Sequence, residues 1–450
     1  MYQIYLAMIT LTYQYKIKPT QQQIKQFEEY LNICRSVYNF AHAERKAWLE
    51  SRKSQVDRCS IISEYIVPAD ATYPGYNNQA KALTLAKKKF PHLKLVNAQC
   101  LQQILKRVDK AWHDFFEIPE RGFPRFKSKN RLRCFIFPQL LKNCLGQRKV
   151  KIPSIGWVRI RQSRAYPVGF VPKQFQVVKR ASGYYLMIVF QSEESMPDAL
   201  PGDKSIGLDA GIESFIATPT ELIKSPKYLR SQLRKLRILQ RRLKKKTKGS
   251  NNWLKLQKRI AKFHEKIANS RRDWQFKLAH YLCDQADNIF IEDIDYKSWS
   301  KGLFCKQSLD SGIGSFMHQI LPFVCWKRGK YYLQVDKNYT SQECSNCGDF
   351  TGKKKLSERI HNCQHCGYIE SRDINSAKII RNRGMMAVGH TVREKRDNAV
   401  LGVSPHSRTS PMSDCRKKAC GVGLAGAQFS TVSSQEALKQ ESPVTATKGA

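Results

Sequence analysis

Four cysteines form the most specific chemical pattern in this sequence. Cys344 and Cys347 are separated by two residues, Cys363 and Cys366 are spaced in the same way, and fifteen residues lie between the pairs. A Cys-x-x-Cys turn presents two thiolates to one face of a tetrahedral ion, and a second such turn closes the site. The spacing therefore predicts a zinc site. Because four thiolates leave no coordination position open, this zinc should be structural and not catalytic.

Other interpretations of the cysteine segment fit less well. A redox role normally needs a single Cys-x-x-Cys pair in a thioredoxin-like unit. His361 and His365 could replace thiol ligands, but four cysteines already have the required spacing, so we expect both histidines on the surface. The ten remaining cysteines show no spacing pattern, and in a reducing cytosol they are expected to be buried thiols or incidental surface residues.

Three acidic residues occupy positions where a carboxylate could bind a metal. Asp209 ends the apolar run SIGLD, Glu292 ends NIFIE, and Asp373 opens RDINSAKII seven residues after Cys366. Each acid alone is commonly a helix cap or a solvated residue. Together, in a strongly basic chain, they predict a site for divalent cations. Three carboxylates could hold two Mg²⁺ ions roughly 4 Å apart, one activating water and one stabilising the leaving 3′ oxygen of a phosphodiester.

The charge of the chain indicates a polyanionic partner. Its 78 Lys and Arg residues outnumber 37 Asp and Glu residues, which gives a formal net charge of +41. Self-repulsion at this charge destabilises a compact protein unless a partner neutralises it. Nucleic acid is the favoured partner, and an anionic membrane surface is the alternative. No run reaches the roughly 18 apolar residues of a membrane helix, and the N-terminus alternates like a strand, so we expect a cytoplasmic protein with no membrane partner.

The densest positive charge lies on one amphipathic helix. Residues 224–248 contain twelve cations and no acid around a stripe of leucines, and a second helix follows the GSNN break. This pattern predicts an antiparallel hairpin with a leucine seam. An exposed helix normally mixes signs at i,i+4, so the unpaired cations are predicted to contact nucleic acid. The candidates within this hairpin are Arg234, Arg241, Arg242, Lys244, Lys245, Arg271 and Arg272.

The first 200 residues predict a β structure interrupted by helices. Residues 8–17 alternate as one strand, Thr20 and Gln23 form a capping box for a long helix, and Asn97 can cap a second one. Residues 148–191 supply short alternating runs separated by turns, as in a small antiparallel barrel or sandwich. Between them, residues 121–138 interleave phenylalanines with cations, which fits a stacking surface for a nucleic-acid strand and a basic strand with a buried aromatic face equally well.

These motifs, in this order, resemble a known family. The segments GLDAGIESF, PKYLRSQLRKLRILQRRL, NIFIEDID, YTSQECSNCG and CQHCGYIESRDINSAKII look like the RuvC-type nuclease domain of the transposon-encoded TnpB family, which comprises RNA-guided endonucleases related to type V CRISPR effectors. The first half is similar too, through YKIKPTQQQIKQFEEYLNICRSVYN and LQQILKRVDKAWHDFFEIPERGFPRFK. The likeness covers about residues 8–383.

The resemblance implies a fold of α/β and α+β parts: an RNase H-like (RuvC) nuclease domain with an inserted zinc ribbon, after a wedge-like antiparallel β-barrel that a helical recognition region interrupts. The boundaries expected from it are barrel strand 1–19, helical region 20–120, barrel remainder 121–200, nuclease 201–338 with the basic hairpin 225–285, ribbon 339–369, final nuclease segment 370–387 and a disordered tail 388–450.

The resemblance also implies a mechanism. Asp209, Glu292 and Asp373 would be the catalytic triad that binds Mg²⁺, and Zn²⁺ would be structural. The partners would be a guide RNA and double-stranded target DNA, recognised beside a short flanking motif, with the protein acting as a monomer with its RNA in the prokaryotic cytoplasm and nucleoid. Both DNA strands would be cut.

Two positions depart from the family pattern. The family usually has an acid where this chain has Ser371. It also has a histidine near Gln275, in a helix that we expect to begin at Asn269. Because the triad is intact, we expect activity. The alternatives are a catalytically weakened, guide-dependent DNA-binding repressor and a DNA transposase, which can share the fold and metal chemistry. A plain zinc-ribbon transcription factor would leave the strand-end carboxylates without a purpose.

Overall fold

A computed structural model describes residues 8–389 except 54–66, 69, 130, 196–198, 300, 303–304 and 356. The described residues divide into two compact units, one within residues 1–196 and one within residues 197–450. The expected disordered tail, 388–450, lies outside the described residues apart from its first two. In the part of the chain that the structure covers, no helix combines the length and apolarity needed to cross a membrane.

The first unit contains a curled antiparallel sheet of seven strands, a half-barrel. Its strands are β1 (Met8–Lys18), β2 (Cys134–Phe137), β3 (Leu145–Gly146), β4 (Lys149–Ile152), β5 (Gly156–Arg161), β6 (Val171–Arg180) and β7 (Gly183–Ser195), in the spatial order β2-β6-β7-β1-β5-β4-β3. The period-two pattern explains its core, since alternate residues such as Val150 and Ile152 are fully buried while Lys149 and Lys151 are exposed.

The helices of this unit are α1 (Gln21–Lys53), α2 (Tyr76–Lys89), the 3₁₀ turn Pro91–Leu95 and α3 (Ala98–Glu117). The capping box is confirmed: the Thr20 amide donates to Gln23 Oε1 at 3.0 Å, and the Gln23 amide donates to Thr20 Oγ1 at 3.3 Å. Asn97 caps α3 as predicted, accepting from the Gln99 amide at 2.9 Å. Both helix starts were therefore readable from short polar motifs.

The phenylalanines of residues 121–138 divide between the two interpretations. Phe135 and Phe137 lie in β2 and are fully buried, so they belong to the core. Phe123 and Phe126 precede the strand and are 40% and 50% exposed. The segment therefore has a core half and a surface half.

The second unit is built on a mixed five-stranded sheet. Its strands are β8 (Ser205–Ala210), β9 (Ile216–Ala217), β10 (Leu222–Ile223), β11 (Asn288–Glu292) and β12 (Tyr331–Val335), in the order β10-β9-β8-β11-β12. Strands β8, β11 and β12 are parallel, whereas β9 and β10 are antiparallel to their neighbours. All five residues of β11 are buried, which explains why NIFIE is a continuous apolar run with one terminal acid.

The helices of the second unit are α4 (Tyr228–Lys244), α5 (Asn251–Gln285), α6 (Tyr296–Trp299), α7 (Cys305–Ser311), α8 (Ile313–Ser315), the π-helical turn Phe316–Ile320, α9 (Leu321–Lys327) and α10 (Arg372–Ala387). Helices α4 and α5 pack along a seam in which Leu236, Leu239 and Ile260 are buried. The sequence interpretation placed a helix start at Asn269, and this was wrong: α5 continues through 35 residues because its apolar stripe passes from the seam into the core at Leu278 and Leu282.

Two glycines bring α10 against the sheet. A Cβ on Gly207 in β8 would lie 2.1 Å from the Ala377 carbonyl oxygen and 2.4 Å from the Arg381 amide nitrogen. A Cβ on Gly384 in α10 would lie 2.1 Å from the Phe290 ring. Both contacts are possible only without a side chain, so these glycines fix the height of α10 above the parallel strands.

Candidate metal centres

The four predicted thiolates converge. The ligand atoms of Cys344, Cys347, Cys363 and Cys366 all lie within 4.8 Å of one another. The Sγ atoms of Cys344 and Cys366 are 3.7 Å apart, and those of Cys347 and Cys363 are 3.6 Å apart. Four sulfurs at about 2.3 Å from a tetrahedral zinc would be about 3.8 Å from each other. The cluster therefore fits a structural zinc ion.

The two cysteine turns have the same backbone form. Gly348 and Gly367, one residue after each pair, have φ of 78° and 71°, a left-handed conformation that favours glycine. Each glycine amide donates to the carbonyl of the first cysteine of its pair at 2.9 Å. The second pair lies on a hairpin of β13 (Ile360–Asn362) and β14 (Ile369–Ser371).

The expectation that His361 lies on the surface was wrong. His361 is fully buried at the centre of β13, where its Nδ1 lies 2.8 Å from Lys354 Nζ and its ring packs on Tyr368. Burial and the Lys354 charge lower the pKa of this imidazole, which keeps it neutral as the acceptor from Lys354. Strand alternation turns it inward, and His365 in the turn is exposed. His361 is thus a core residue of the ribbon.

Asp209 and Glu292 lie at the same edge of the sheet. Strands β8 and β11 are parallel, and their register ends with Leu208 opposite Ile291, one residue before each acid. Burial and the charges of Glu292 and Asp373 raise the pKa of Asp209 well above its usual range, and Arg372 acts in the opposite sense. The three predicted acids therefore share one electrostatic environment.

Asp373 follows the predicted zinc ribbon directly in the chain. It occupies the first turn of α10, which packs on β8 through Gly207, and it is the acidic residue of that turn. The Nε of Arg372 lies 3.7 Å from an Asp373 carboxylate oxygen. Ser371 is the residue before the helix, and its side chain makes no capping hydrogen bond. The segment between Cys366 and Asp373 therefore leads directly from the ribbon to the acids.

The acids are less tightly gathered than the thiols. Within the described residues, the cysteine cluster is the one group of three or more ligand side chains whose atoms all lie within 4.8 Å. The donor set of three carboxylates nevertheless fits Mg²⁺, which prefers oxygen ligands, keeps several waters and is usually bound by one or two carboxylates. A cation here would also relieve the repulsion that raises the pKa of Asp209.

Glu292 is held by a residue that the sequence interpretation missed. Thr340 Oγ1 donates a hydrogen bond to Glu292 Oε1, and both residues are 6% exposed. Burial raises the pKa of Glu292, while this hydrogen bond and the charges of Arg383 and Lys337 lower it. In the sequence, Thr340 is only a threonine four residues before Cys344. Its partner Glu292 is 48 residues away, so no local pattern indicates the bond.

Tyr296 is a second residue that the sequence interpretation missed. It is 7% exposed, and its hydroxyl has no hydrogen-bond partner among the described protein residues. Its ring packs edge-on against Trp299 and His318. Burial, followed by the charges of Glu292 and Asp209, raises the pKa of this phenol, so it stays protonated close to the acids.

The predicted nucleic-acid contacts differ in their surroundings. Five of them are exposed on α4 and at its C-cap: Arg234, Arg241, Arg242, Lys244 and Lys245. Arg242 and Lys245 line a cleft between the hairpin helices together with Lys246, Lys255 and Arg259. The exposed set is therefore available to a polyanion.

The two arginines on α5 have intramolecular contacts. Arg272 lies over the Phe276 ring, with its guanidinium carbon 5.5 Å from the ring centre. Arg271 donates from Nη1 to the carbonyls of Leu309 and Asp310 at 2.7 and 3.0 Å. Gln275 lies where the family resemblance predicts a histidine, and it is 3% exposed. Its Nε2 donates to the Ser311 and Gly312 carbonyls at 2.9 and 3.1 Å. Arg271 and Gln275 thus hold the end of α7.

Three family models match the chain. Residues 187–301 match a model described as a probable transposase (OrfB_IS605), residues 316–380 match a Cas12f1-like TNB domain, and residues 8–54 match a helix-turn-helix domain of OrfB_IS605. In this structure the described part of the last range forms β1 and α1, a paired strand and one long helix.

The chain is also similar to curated proteins over most of its length. It is 29% identical to a protein of Escherichia coli (strain K12) named "Putative RNA-guided DNA endonuclease InsQ", over 84% of this chain and 92% of that protein. It is 26% identical to a "Putative RNA-guided DNA endonuclease" of Streptomyces pristinaespiralis, over 89% of this chain and 96% of that protein. A solved Cas12f1–sgRNA–target DNA complex covers 83% of the chain at 14% identity and a TM-score of 0.44.

Proposed function

Because the chain belongs to the transposon-encoded TnpB family, which is related to type V CRISPR effectors, we propose that it is an RNA-guided, Mg²⁺-dependent DNA endonuclease. Its substrate is double-stranded DNA next to a short flanking motif, and its guide is an RNA. The names of the two long relatives support the reaction class. The observation that carries the proposal is the shared environment of Asp209, Glu292 and Asp373.

The acids are the groups that hold the cations. Asp209 and Glu292 lie one residue beyond the last registered pair of β8 and β11, and Asp373 lies in the first turn of α10, so three separate elements supply the carboxylates whose charges act on one another. Mg²⁺ held by these carboxylates would supply the activation of water and the stabilisation of the leaving oxygen of a phosphodiester. Thr340 keeps the Glu292 carboxylate oriented. The Tyr296 phenol, whose pKa is raised by burial and then by the charges of Glu292 and Asp209, stays protonated.

The basic hairpin supports a nucleic-acid partner. Exposed cations lie on α4 and around the hairpin cleft, and phosphate contacts made by such cations give affinity independent of sequence. Sequence selection would then come from base pairing to the guide, as it does in RNA-guided effectors. The zinc ribbon has a structural part in this scheme and takes no part in the cleavage step.

The proposal has a two-stage test. Protein expressed together with its native flanking DNA should copurify with a discrete RNA, and purification free of RNA would contradict the guided mechanism. The RNA-bound protein should then cut a plasmid library with randomised flanks in Mg²⁺, and Asp209→Ala should not cut. Cutting by that variant would show that the triad is assigned to the wrong residues.

A transposase is the second candidate, because the model that matches residues 187–301 carries that description. A transposase would recognise the ends of its own element without RNA. The two functions are therefore separated by one comparison: cutting of element-end DNA by RNA-free protein supports the transposase, and cutting that requires the copurified RNA supports the endonuclease.

A further inference from the structure

One segment contacts both sides of the proposed Mg²⁺ site. Residues 336–345, here called the bridge segment, connect β12 to the first cysteine pair. Its members bond to Glu292 on one side and to α10, which carries Asp373, on the other. The segment also contains Cys344, a ligand of the predicted zinc site. It therefore joins the two candidate metal centres.

The contact to Glu292 is made by Thr340. Its hydroxyl donates to the carboxylate oxygen Oε1, and both side chains are almost fully buried. The Asp293 amide donates to the Val335 carbonyl at 3.0 Å, which fixes the backbone next to Glu292. A buried carboxylate that accepts a hydrogen bond from a fixed hydroxyl loses rotational freedom, so Thr340 selects one orientation of Glu292.

The contact to α10 is made by Asn375. This residue is fully buried, its Oδ1 accepts from the Ser345 amide at 2.9 Å, and its Nδ2 donates to the Glu343 carbonyl at 2.8 Å. Ser345 lies between Cys344 and Cys347, inside the first cysteine turn. The amide of Asn375 thus clamps the zinc turn to the first turn of the helix that carries Asp373.

A second clamp lies further along α10. Arg383 donates from Nη1 to the carbonyls of Asp336 and Asn338 at 2.8 and 2.7 Å, and its Nη2 lies 2.8 Å from a Glu343 carboxylate oxygen. The bridge segment is therefore tied to α10 at both of its ends. A shift of the cysteine turn must move α10, Thr340 or both.

We propose that the first cysteine turn positions Glu292 and Asp373 through Thr340 and Asn375, so that zinc binding and divalent-cation binding at the acids are thermodynamically linked. The inference rests on the proposed function only in taking the acids as a cation site. Without zinc, four thiols lose the ion that organises their turn, and the Ser345 and Glu343 backbone groups no longer hold Asn375. Thr340 and Asn375 are positioning residues in this account and touch no substrate.

The test measures cation binding without nucleic acid. Zinc-loaded protein is titrated with Mn²⁺, which replaces Mg²⁺ in this assay. The concentration of free Mn²⁺ is measured by electron paramagnetic resonance. Thr340→Val keeps the shape of the side chain and removes the donor, and we expect it to weaken Mn²⁺ binding about 10-fold. Thr340→Ser keeps the hydroxyl and should restore binding. Zinc content should equal that of the wild type in both variants.

A control with the same substitution comes from the first unit. The Thr84 hydroxyl donates to the Ala80 carbonyl one turn earlier in α2 at 3.1 Å, and this helix belongs to the unit that does not contain the acids. Thr84→Val is therefore the same substitution at a threonine outside the bridge segment, and it should leave Mn²⁺ affinity unchanged. A loss of Mn²⁺ affinity in this control equal to that in Thr340→Val would overturn the specific role of Thr340.

A second experiment follows from the reciprocity of thermodynamic linkage. If zinc strengthens cation binding at the acids, Mg²⁺ must strengthen zinc binding by the same factor. At a fixed concentration of a zinc-selective chelator, Mg²⁺ should raise the equilibrium zinc occupancy of the wild type and have less effect on Thr340→Val and on Asn375→Ala.

The failures of the two proposals are distinguishable. Wild-type protein that binds Mn²⁺ no better than Asp209→Ala would remove the cation site itself, and the linkage with it. Mn²⁺ binding that depends on Asp209 but is the same in Thr340→Val and wild type would overturn the linkage and leave the proposed nuclease site intact.

Discussion

Asp209 and Glu292 lie on neighbouring parallel strands, each one residue beyond the registered pair Leu208 and Ile291. The carboxyl ends of parallel strands are a common place for functional groups, because side chains there emerge together from a rigid sheet. In this chain the same arrangement forces two carboxylates, with Asp373 as a third, into a partly buried space. The metal-free site is therefore electrostatically unfavourable, and this has a measurable consequence.

The first prediction concerns stability as a function of pH. The pKa of Asp209 is raised in the folded protein, mainly by burial and then by Glu292 and Asp373. Between the usual carboxyl pKa, about 4, and the raised value, the folded state holds more protons than the unfolded state, so its free energy of unfolding falls as pH rises. Asp209→Asn removes this pH-dependent loss of stability. Without Mg²⁺ it should melt higher than the wild type at neutral pH.

The measurement is a pair of thermal melts of zinc-loaded protein across the acid to neutral range. The difference between Asp209→Asn and wild type should grow as pH rises, because the wild type alone has the titrating carboxyl. Adding Mg²⁺ should stabilise the wild type more than the variant. A variant that melts lower than the wild type at every pH would contradict the raised pKa.

The second prediction concerns the close packing of α10 against the sheet. A Cβ added to Gly207 would lie 2.1 Å from the Ala377 carbonyl oxygen and 2.4 Å from the Arg381 amide nitrogen, both backbone atoms that cannot turn aside. Gly207→Ala must therefore lift α10 and move Asp373 with it. We expect a loss of about 1–3 kcal/mol in unfolding free energy and weaker Mn²⁺ binding.

Chemical denaturation and Mn²⁺ titration check both parts. Gly302→Ala is the matched control, because nothing lies within 4 Å of a Cβ at that position. Gly302→Ala should change neither the unfolding free energy nor the Mn²⁺ affinity. Normal Mn²⁺ affinity in a folded Gly207→Ala protein would show that the acids do not depend on the height of α10.

The sequence anticipated the parts of this site that depend on local rules. Cys-x-x-Cys spacing identified the four thiols because ligand geometry is encoded in a short turn. The acids at Asp209 and Glu292 were visible because a buried parallel strand is an apolar run that ends abruptly. Capping at Thr20 and Asn97 followed from hydrogen bonds within three residues.

What the sequence did not reveal depends on contacts between distant segments. Thr340 and Glu292 are 48 residues apart, and nothing local to either shows the bond. His361 has a polar side chain whose burial follows from its place in a two-stranded hairpin and its partner Lys354. The continuous helix α5 shows the same effect, since Asn269 resembles a boundary until the core beyond it is known.

The third prediction concerns Tyr296. Its hydroxyl is buried and has no partner among the described protein residues, so Tyr296→Phe removes a polar group without breaking a protein hydrogen bond. We expect the unfolding free energy to stay within about 1 kcal/mol of the wild type or to rise. Thr340→Val, which breaks a buried bond to Glu292, should by contrast lower it when Mg²⁺ is present. A larger loss in Tyr296→Phe, measured by denaturant unfolding, would mean that the phenol has a bound partner.

The last prediction separates the cations of the basic hairpin by what they contact. Arg241, Arg242 and Lys245 are exposed on and just after α4, so they are free to neutralise phosphates. Changing all three to Gln should leave folding intact and reduce the slope of log affinity against log salt by up to about 2–3, roughly 0.7–0.9 for each lost phosphate contact. Filter binding or fluorescence anisotropy with RNA and DNA at several salt concentrations measures this slope.

Arg271 should behave in the opposite way. Its guanidinium already donates to the Leu309 and Asp310 carbonyls, and burial lowers its pKa. Arg271→Gln should therefore lower thermal stability while changing the salt slope little. Lys277, exposed and 2.9 Å from Asp273, provides the charge-matched control for both readouts, because Lys277→Gln removes one cation from α5 without touching the hairpin cleft. A salt slope that falls by about one unit in Arg271→Gln with unchanged stability would place phosphate contacts on the side of α5 that this structure assigns to holding α7.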